Sequence, residues 1–86
     1  MKNLEKTIKA FGNVSRLKIL QYLKKHRFAS VGDIAAGTKC SYKATSKHLS
    51  ILYRVDVVDR EQVSYEMHYR LSSKLDPVAL SLLKLI

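Results

Sequence analysis

Lys43, Lys47, Ser50 and Arg54 recur at spacings that place them along one side of an α-helix, starting in the segment SYKATSKHLSIL at residues 41 to 52. At about 100° per residue, Thr45, His48, Leu49 and Leu52 gather on the opposite side, and the cationic stripe extends for about 16 Å. Cations in a row neutralise a row of phosphates, and release of the phosphates' counterions drives such binding. A helix of this kind fits the major groove of a DNA duplex. Tyr42, Lys43, Ser46 and Lys47 then lie near base edges, Arg54 lies nearer a phosphate, and Ser41 and Ser50 complete the contact set. The competing reading is a solvated helix face. Such faces mix signs and gain from Glu to Lys pairs at i, i+4, whereas this segment has no acid between Asp33 and Asp56.

The elements that position the stripe must come from one small domain. The chain has 86 residues, near the lower end of what a single core stabilises unaided. Its 47% hydrophobic and 27% charged residues fit a folded chain. The net charge of +9 is unevenly spread. Residues 1 to 54 hold 12 Lys or Arg against 2 acids, and residues 55 to 86 hold 4 against 5. Charge alone does not separate nucleic acid from an anionic membrane. No apolar run approaches the roughly 20 residues of a bilayer span, and MKNLEKTIKAFG lacks the apolar core of a leader peptide, so the expected location is cytoplasmic with no membrane contact. One cysteine, Cys40, excludes an internal disulfide.

Leu4, Ile8 and Phe11 mark a first helix over residues 3 to 11, ended by Gly12. Asn13 caps a second, in which Leu17, Ile19, Leu20 and Leu23 run inward to about His26 while Arg16, Lys18, Lys24 and Lys25 take the wet side. An extended piece at Phe28 and Ala29 leads to a short third helix, capped by Ser30 and Asp33, that buries Val31, Ile34 and Ala35 and ends at Gly37. The segment TKC then joins it to the basic helix, Tyr42 to about Val55, making a helix-turn-helix. Beyond it the period changes to two. Val57 and Val58, a turn at Glu61 to Ser64, and Tyr65, Met67, Tyr69 and Leu71 predict a β-hairpin with both tyrosines as strand core residues. Asp76 and Pro77 open a last helix over residues 76 to 86.

The strings NVSRLKILQYL and SVGDIAAGTKCSYKATSKHLSILYRVDVVDREQVSYEMHYRL resemble the winged helix-turn-helix of ArsR-type transcriptional repressors, from about Phe11 to Leu71. The most specific elements are SRLKIL, the S-K-H-L-x-x-L run from Ser46 to Leu52, and the Y-R-L that closes the hairpin. The resemblance implies a dimeric repressor with residues 42 to 55 as recognition helix, the hairpin as wing, and the terminal helices as dimer contacts. The fold class is then mainly α with a small β-hairpin, in the order α-α-β-α-α-β-β-α, as a single domain over residues 1–86. Where many members place a metal-binding Cys-x-Cys pair, this chain has Ser30 and Gly32, and PVALSLLKLI supplies none of the Asp, His and Glu ligands of a second family site. His26, His48 and His68 are dispersed, so neither metal nor cofactor is expected.

Several residues keep two readings. The hairpin carries Ser64 where members have a glycine, with Asp59, Glu61 and Glu66 beside Arg60; either Arg60 and Gln62 reach a minor groove, or the hairpin only covers the core. Cys40, beside a helix start and Lys39 and Lys43, is a small turn residue or an oxidation switch. His48 packs or reads a base. The last helix is apolar nearly all round, so Val78, Leu82, Leu83, Leu85 and Ile86, with Leu4, Ile8 and Phe11, are expected to meet a second copy of the chain. No phosphate loop or nucleophile set supports catalysis. The expected function is a DNA-binding regulator that occludes a promoter as a homodimer on an inverted repeat. A winged helix for RNA or protein contact is the alternative, though RNA readers usually display exposed aromatics.

Overall fold

In the computed structural model, which describes residues 4–86, the elements are α1 (Leu4–Phe11), α2 (Val14–His26), β1 (Ala29–Ser30), α3 (Val31–Thr38), α4 (Tyr42–Arg54), β2 (Val58–Val63), β3 (Glu66–Leu71) and α5 (Pro77–Lys84). The sequence places the start of the first helix at residue 3, which lies outside the described residues. The strands form one antiparallel sheet in the order β1-β3-β2. Ala29 pairs with Tyr69, and Val58 through Val63 pair in register with Leu71 through Glu66. This is a winged helix-turn-helix fold with the expected element order.

Side chains set the helix starts. Asn13, Ser30, Ser41 and Asp76 each accept a hydrogen bond from the backbone N–H three residues on, at 3.0, 3.0, 3.1 and 2.8 Å. The core is built from Ile19, Leu20 and Leu23 of α2, Ile34 of α3, Leu49 and Leu52 of α4, Val57 and Val58 entering β2, and Tyr69 of β3. Ala79 and Leu83 of α5 close it from one end. Since α3 and α4 both pack on α2, the helix-turn-helix is a fixed body against which α4 presents its outer face.

Several boundaries differ from expectation for physical reasons. The helix α3 does not end at Gly37 but continues to Thr38, and Lys39 at φ 58° takes the left-handed cap, its N–H bonding to the carbonyls of Ala35 and Ala36. Gly37 serves a close approach instead: a Cβ there would lie 2.2 Å from Cε2 of Tyr22. The short strand is Ala29–Ser30 rather than Phe28 and Ala29, so Ser30 both pairs with His68 and caps α3. The hairpin turn is not Glu61 to Ser64. Glu61 and Gln62 are paired strand residues, and the turn is Ser64 and Tyr65, with Ser64 at φ 58°, the backbone region for which a glycine is favoured. Tyr65 is therefore not a core residue; it stands at the tip, 98% exposed. The last helix spans Pro77–Lys84, with Asp76 and Leu85 as its caps, and Val55 likewise caps α4 rather than extending it.

Arg16 is half-buried and Lys24 exposed, as their place on the polar side requires, but neither head group is left to solvent alone. Arg16 donates from Nε to the carbonyl of Ala10 at 2.8 Å and from Nη2 to that of Lys9 at 3.2 Å, satisfying the C-terminal end of α1. Lys24 donates to the carbonyls of Leu83 and Ile86 at 2.8 and 2.6 Å, doing the same for α5. Phe11 and Leu83, expected at a dimer contact, are instead buried in the chain's own core, 6% and 4% exposed.

Candidate nucleic-acid interface

The helix α4 is docked by Thr45, Leu49 and Leu52, each fully buried. About 180° away around the helix, Lys43, Lys47 and Arg54 are exposed, with Ser50 half-buried among them. Among the described residues the ion pairs are Lys9 with Glu5 at 3.9 Å and Arg70 with Glu61 at 3.2 Å. Neither involves α4, so its cations are uncompensated. Tyr42, 61% exposed, opens the helix beside Lys43, and Ser46 is half-buried one turn later. The Ser41 Oγ accepts the Ala44 N–H at 3.1 Å, and its hydroxyl keeps a proton to donate.

The two flanks of α4 are tied to different elements. On one, His48 Nδ1 lies 3.2 Å from Nη1 of Arg16. A guanidinium only donates, so the ring nitrogen accepts and the imidazole is neutral in this contact. Burial, with help from the charges of Arg16 and Lys47, lowers the His48 pKa below its ordinary 6.5. His48 is thus a packing residue with a partner, on the flank and away from the exposed stripe. On the other flank the guanidinium of Arg60 lies 3.9 Å over the ring of Tyr53. The side chain of Tyr69, its cross-strand neighbour, holds the Arg60 pKa above the usual value.

The structure therefore brings Ser41, Tyr42, Lys43, Ser46, Lys47, Ser50 and Arg54 onto one helix, and it leaves Arg60 and Gln62 on β2 beside it. Arg60 is exposed but stacked; Gln62 is exposed and its Nε2 donates to the carbonyl of Ser64 at 3.1 Å within the hairpin tip. The acids beside them are partly spent, because Glu61 pairs with Arg70. Cys40 is half-buried, its Sγ 3.6 Å from the carbonyl oxygen of Thr38.

Sequence reasoning missed Tyr53, which anchors the wing, and Arg16, which ties α1 and α2 to α4. Lys39, noted in the sequence only as a neighbour of Cys40, is an exposed cation beside the start of α4. Together with Lys18 and Lys25, Lys39 lines an open groove of about 660 Å³ between α2 and α3. The i, i+7 spacing of Lys18 and Lys25 was a usable signal for a second basic stripe. No local pattern announces the link from Arg16 to His48, 32 residues apart. No helix among the described residues is long and apolar enough to cross a membrane. The described residues also contain no group of three or more His, Cys, Asp or Glu placed to share a metal ion.

Solved structures of similar fold include HlyU from Vibrio cholerae N16961, 30% identical, covering 99% of this chain and 91% of that one with a TM-score of 0.79. The transcriptional repressor PagR of Bacillus anthracis is 28% identical over 98% of this chain and 95% of its own, with a TM-score of 0.75. The antimony-specific transcriptional repressor AntR is 26% identical over 98% and 73%, with a TM-score of 0.81. No curated protein matches significantly in sequence. The model of the bacterial regulatory proteins of the arsR family matches residues 13–60, from the cap of α2 to the residue stacked on Tyr53. That stretch is more than half the chain and contains the whole helix-turn-helix, so the chain belongs to the ArsR family of winged-helix, DNA-binding transcriptional regulators.

Proposed function

We propose that this chain is a sequence-specific repressor that binds double-stranded DNA as a homodimer, with α4 of each protomer in successive major grooves of an inverted repeat. The observation that carries the reading is the acid-free, cationic outer face of α4, opposite three fully buried residues. Tyr42, Lys43, Ser46 and Lys47 face base edges, while Ser41, Ser50 and Arg54 face the backbone. Arg60, fixed against Tyr53, and Gln62 flank the groove.

Two features support the dimer. Ile8 of α1 and Leu80 and Leu85 of α5 are 52%, 43% and 80% exposed, and α1 packs beside α5, so these apolar groups share one end of the molecule. Leu4, Val78, Leu82 and Ile86 are half-buried around them. A fold neighbour from Mycobacterium bovis, 24% identical with a TM-score of 0.82, is a homodimeric DNA-binding domain. Two such protomers would set their α4 helices about 34 Å apart. Repression is the role named for PagR and AntR.

The test is a fluorescence-anisotropy titration of the duplex upstream of the protein's own gene against a shuffled duplex of equal composition, at several salt concentrations. Tighter binding to the native duplex that persists at physiological salt is expected. Equal binding that collapses with salt for this and other candidate operators would reduce the chain to a general polyanion binder. The observation favouring RNA instead is the exposure of Tyr65 and Tyr42, which offer rings for stacking. Single-stranded RNA that displaces the native duplex at equal concentration would decide for that reading.

A further inference from the structure

The stripe on α4 is not the only gathering of cations. A cavity of about 290 Å³ lies where α1, the start of α2 and the end of α4 meet. Lys6, Lys9, Arg16 and Arg54 form its rim, Ala10, Ile51 and Val55 form its floor, and no carboxylate lines it. Arg16 is held by its bonds to the carbonyls of Ala10 and Lys9 and its contact with His48, so one wall is rigid. Among the described residues Lys6 and Arg54 have no ion-pair partner, and Lys9 has only Glu5 at 3.9 Å in an exposed pair of small worth. Four like charges around a recess repel one another, and a bound anion relieves that repulsion.

The cavity is separate from the surface assigned to the second protomer. Around α1, taking Leu4 as the origin, Ile8 lies at about 40°, whereas Lys9 and Lys6 lie at about 140° and 200°. Pairing through Leu4 and Ile8 leaves the lysine flank open. The recess sits at the small-molecule end of the size range of ligand sites. A phosphodiester would satisfy the rim but leave the apolar floor wet; an anion with a hydrocarbon tail satisfies both.

We propose that this cavity binds a small amphipathic anion, a carboxylate with a short hydrocarbon tail, whose acid group lies among Lys6, Lys9 and Arg54 and whose tail covers Ala10, Ile51 and Val55. Arg54 belongs to the cavity and to the cationic stripe at once. Ligand and duplex therefore compete for one guanidinium, and by linkage each weakens the other. This consequence for DNA rests on the function proposed above; the binding site does not.

The test uses the full chain without DNA, titrated calorimetrically with sodium octanoate, with 1-octanol and with inorganic phosphate. Saturable binding of one octanoate per chain is expected, with octanol and phosphate each at least tenfold weaker. The Lys6→Gln/Lys9→Gln double variant, checked for an unchanged circular dichroism spectrum, should bind octanoate at least tenfold more weakly. Octanol binding as tightly as octanoate would overturn the proposal in favour of a plain apolar patch, and phosphate binding as tightly would overturn it in favour of a simple anion site. Unchanged octanoate affinity in the double variant would place the ligand elsewhere and refute the assignment. With duplex present, saturating octanoate should raise the duplex Kd severalfold in the wild type, and an unmoved Kd would refute the competition for Arg54.

Discussion

Replacing Lys47 by Ala isolates the electrostatic role of the α4 stripe. The side chain is exposed and free of ion pairs among the described residues, and alanine is at least as good a helix former as lysine, so the fold should be unmoved. If Lys43 and Lys47, beside the base edges they face, each neutralise a flanking phosphate as Arg54 does, the stripe makes three phosphate contacts per protomer and six per dimer. With about 0.9 counterions released per contact, the stripe alone gives a log–log salt slope of about −5.4. Raising salt from 50 to 200 mM then costs the wild type roughly 2,000-fold in affinity. The dimer of Lys47→Ala keeps four contacts and a slope of about −3.6, so the same change costs it only about 150-fold. Anisotropy titrations at four or five salt concentrations read both slopes. A decrement of about 0.9 instead of 1.8 would mean that one protomer binds at a time. An unchanged slope with unchanged affinity would refute the placement of α4 against DNA.

Ile8→Asp, on the exposed apolar flank of α1, should shift the sedimentation mass from dimer to monomer without changing the circular dichroism spectrum; a persisting dimer would refute the α1–α5 interface. Leu82 is a poorer probe, because it also packs on the chain's own core. The folded pKa of His48 is depressed, so its stabilising contribution is complete above about pH 6.5 and is lost as pH falls through the lowered value. Chemical denaturation between pH 7.5 and 5 should therefore show a fall in stability that His48→Gln diminishes, and parallel curves would remove the His48 assignment. Gly37→Ala should cost the wild type about 1 kcal/mol, since overpacking against Tyr22 outweighs the better helix propensity of alanine. In a Tyr22→Ala background the same change should gain about 1 kcal/mol; a gain of that size in both backgrounds would show that the Tyr22 ring never constrained the site.

What the sequence disclosed and what it hid divide along one physical line. Caps and periodicity are local, and Asn13, Ser30, Ser41 and Asp76 do what their positions announce. The face of α4 was legible because each of its residues reports burial or exposure by its own chemistry. Gly37 misled because glycine ends helices by adopting positive φ, but it also admits a neighbour too close for a Cβ, and only the partner Tyr22 distinguishes the two uses. Tyr65 misled because strand alternation continues through a two-residue turn without a visible break when the turn lacks glycine. The reach of Arg16 and Lys24 stayed hidden because a long cationic side chain on the polar side of one helix meets the carbonyls of another element only in the fold.

Arg16 shows how a small chain fixes its recognition helix without spending core volume on it. Its three guanidinium nitrogens meet the last carbonyls of α1 and the imidazole of α4 from the first turn of α2, so one side chain joins three helices. Tyr53 and Arg60 perform the corresponding task on the wing side. The outward face of α4 is thereby left with no structural duty, which is why it carries three cations and no acid. Both struts are polar and lie at or near the surface, so each yields more readily to charge than an apolar contact would. A proton on His48 Nδ1 removes the lone pair that accepts from Arg16 and so acts on the strut itself.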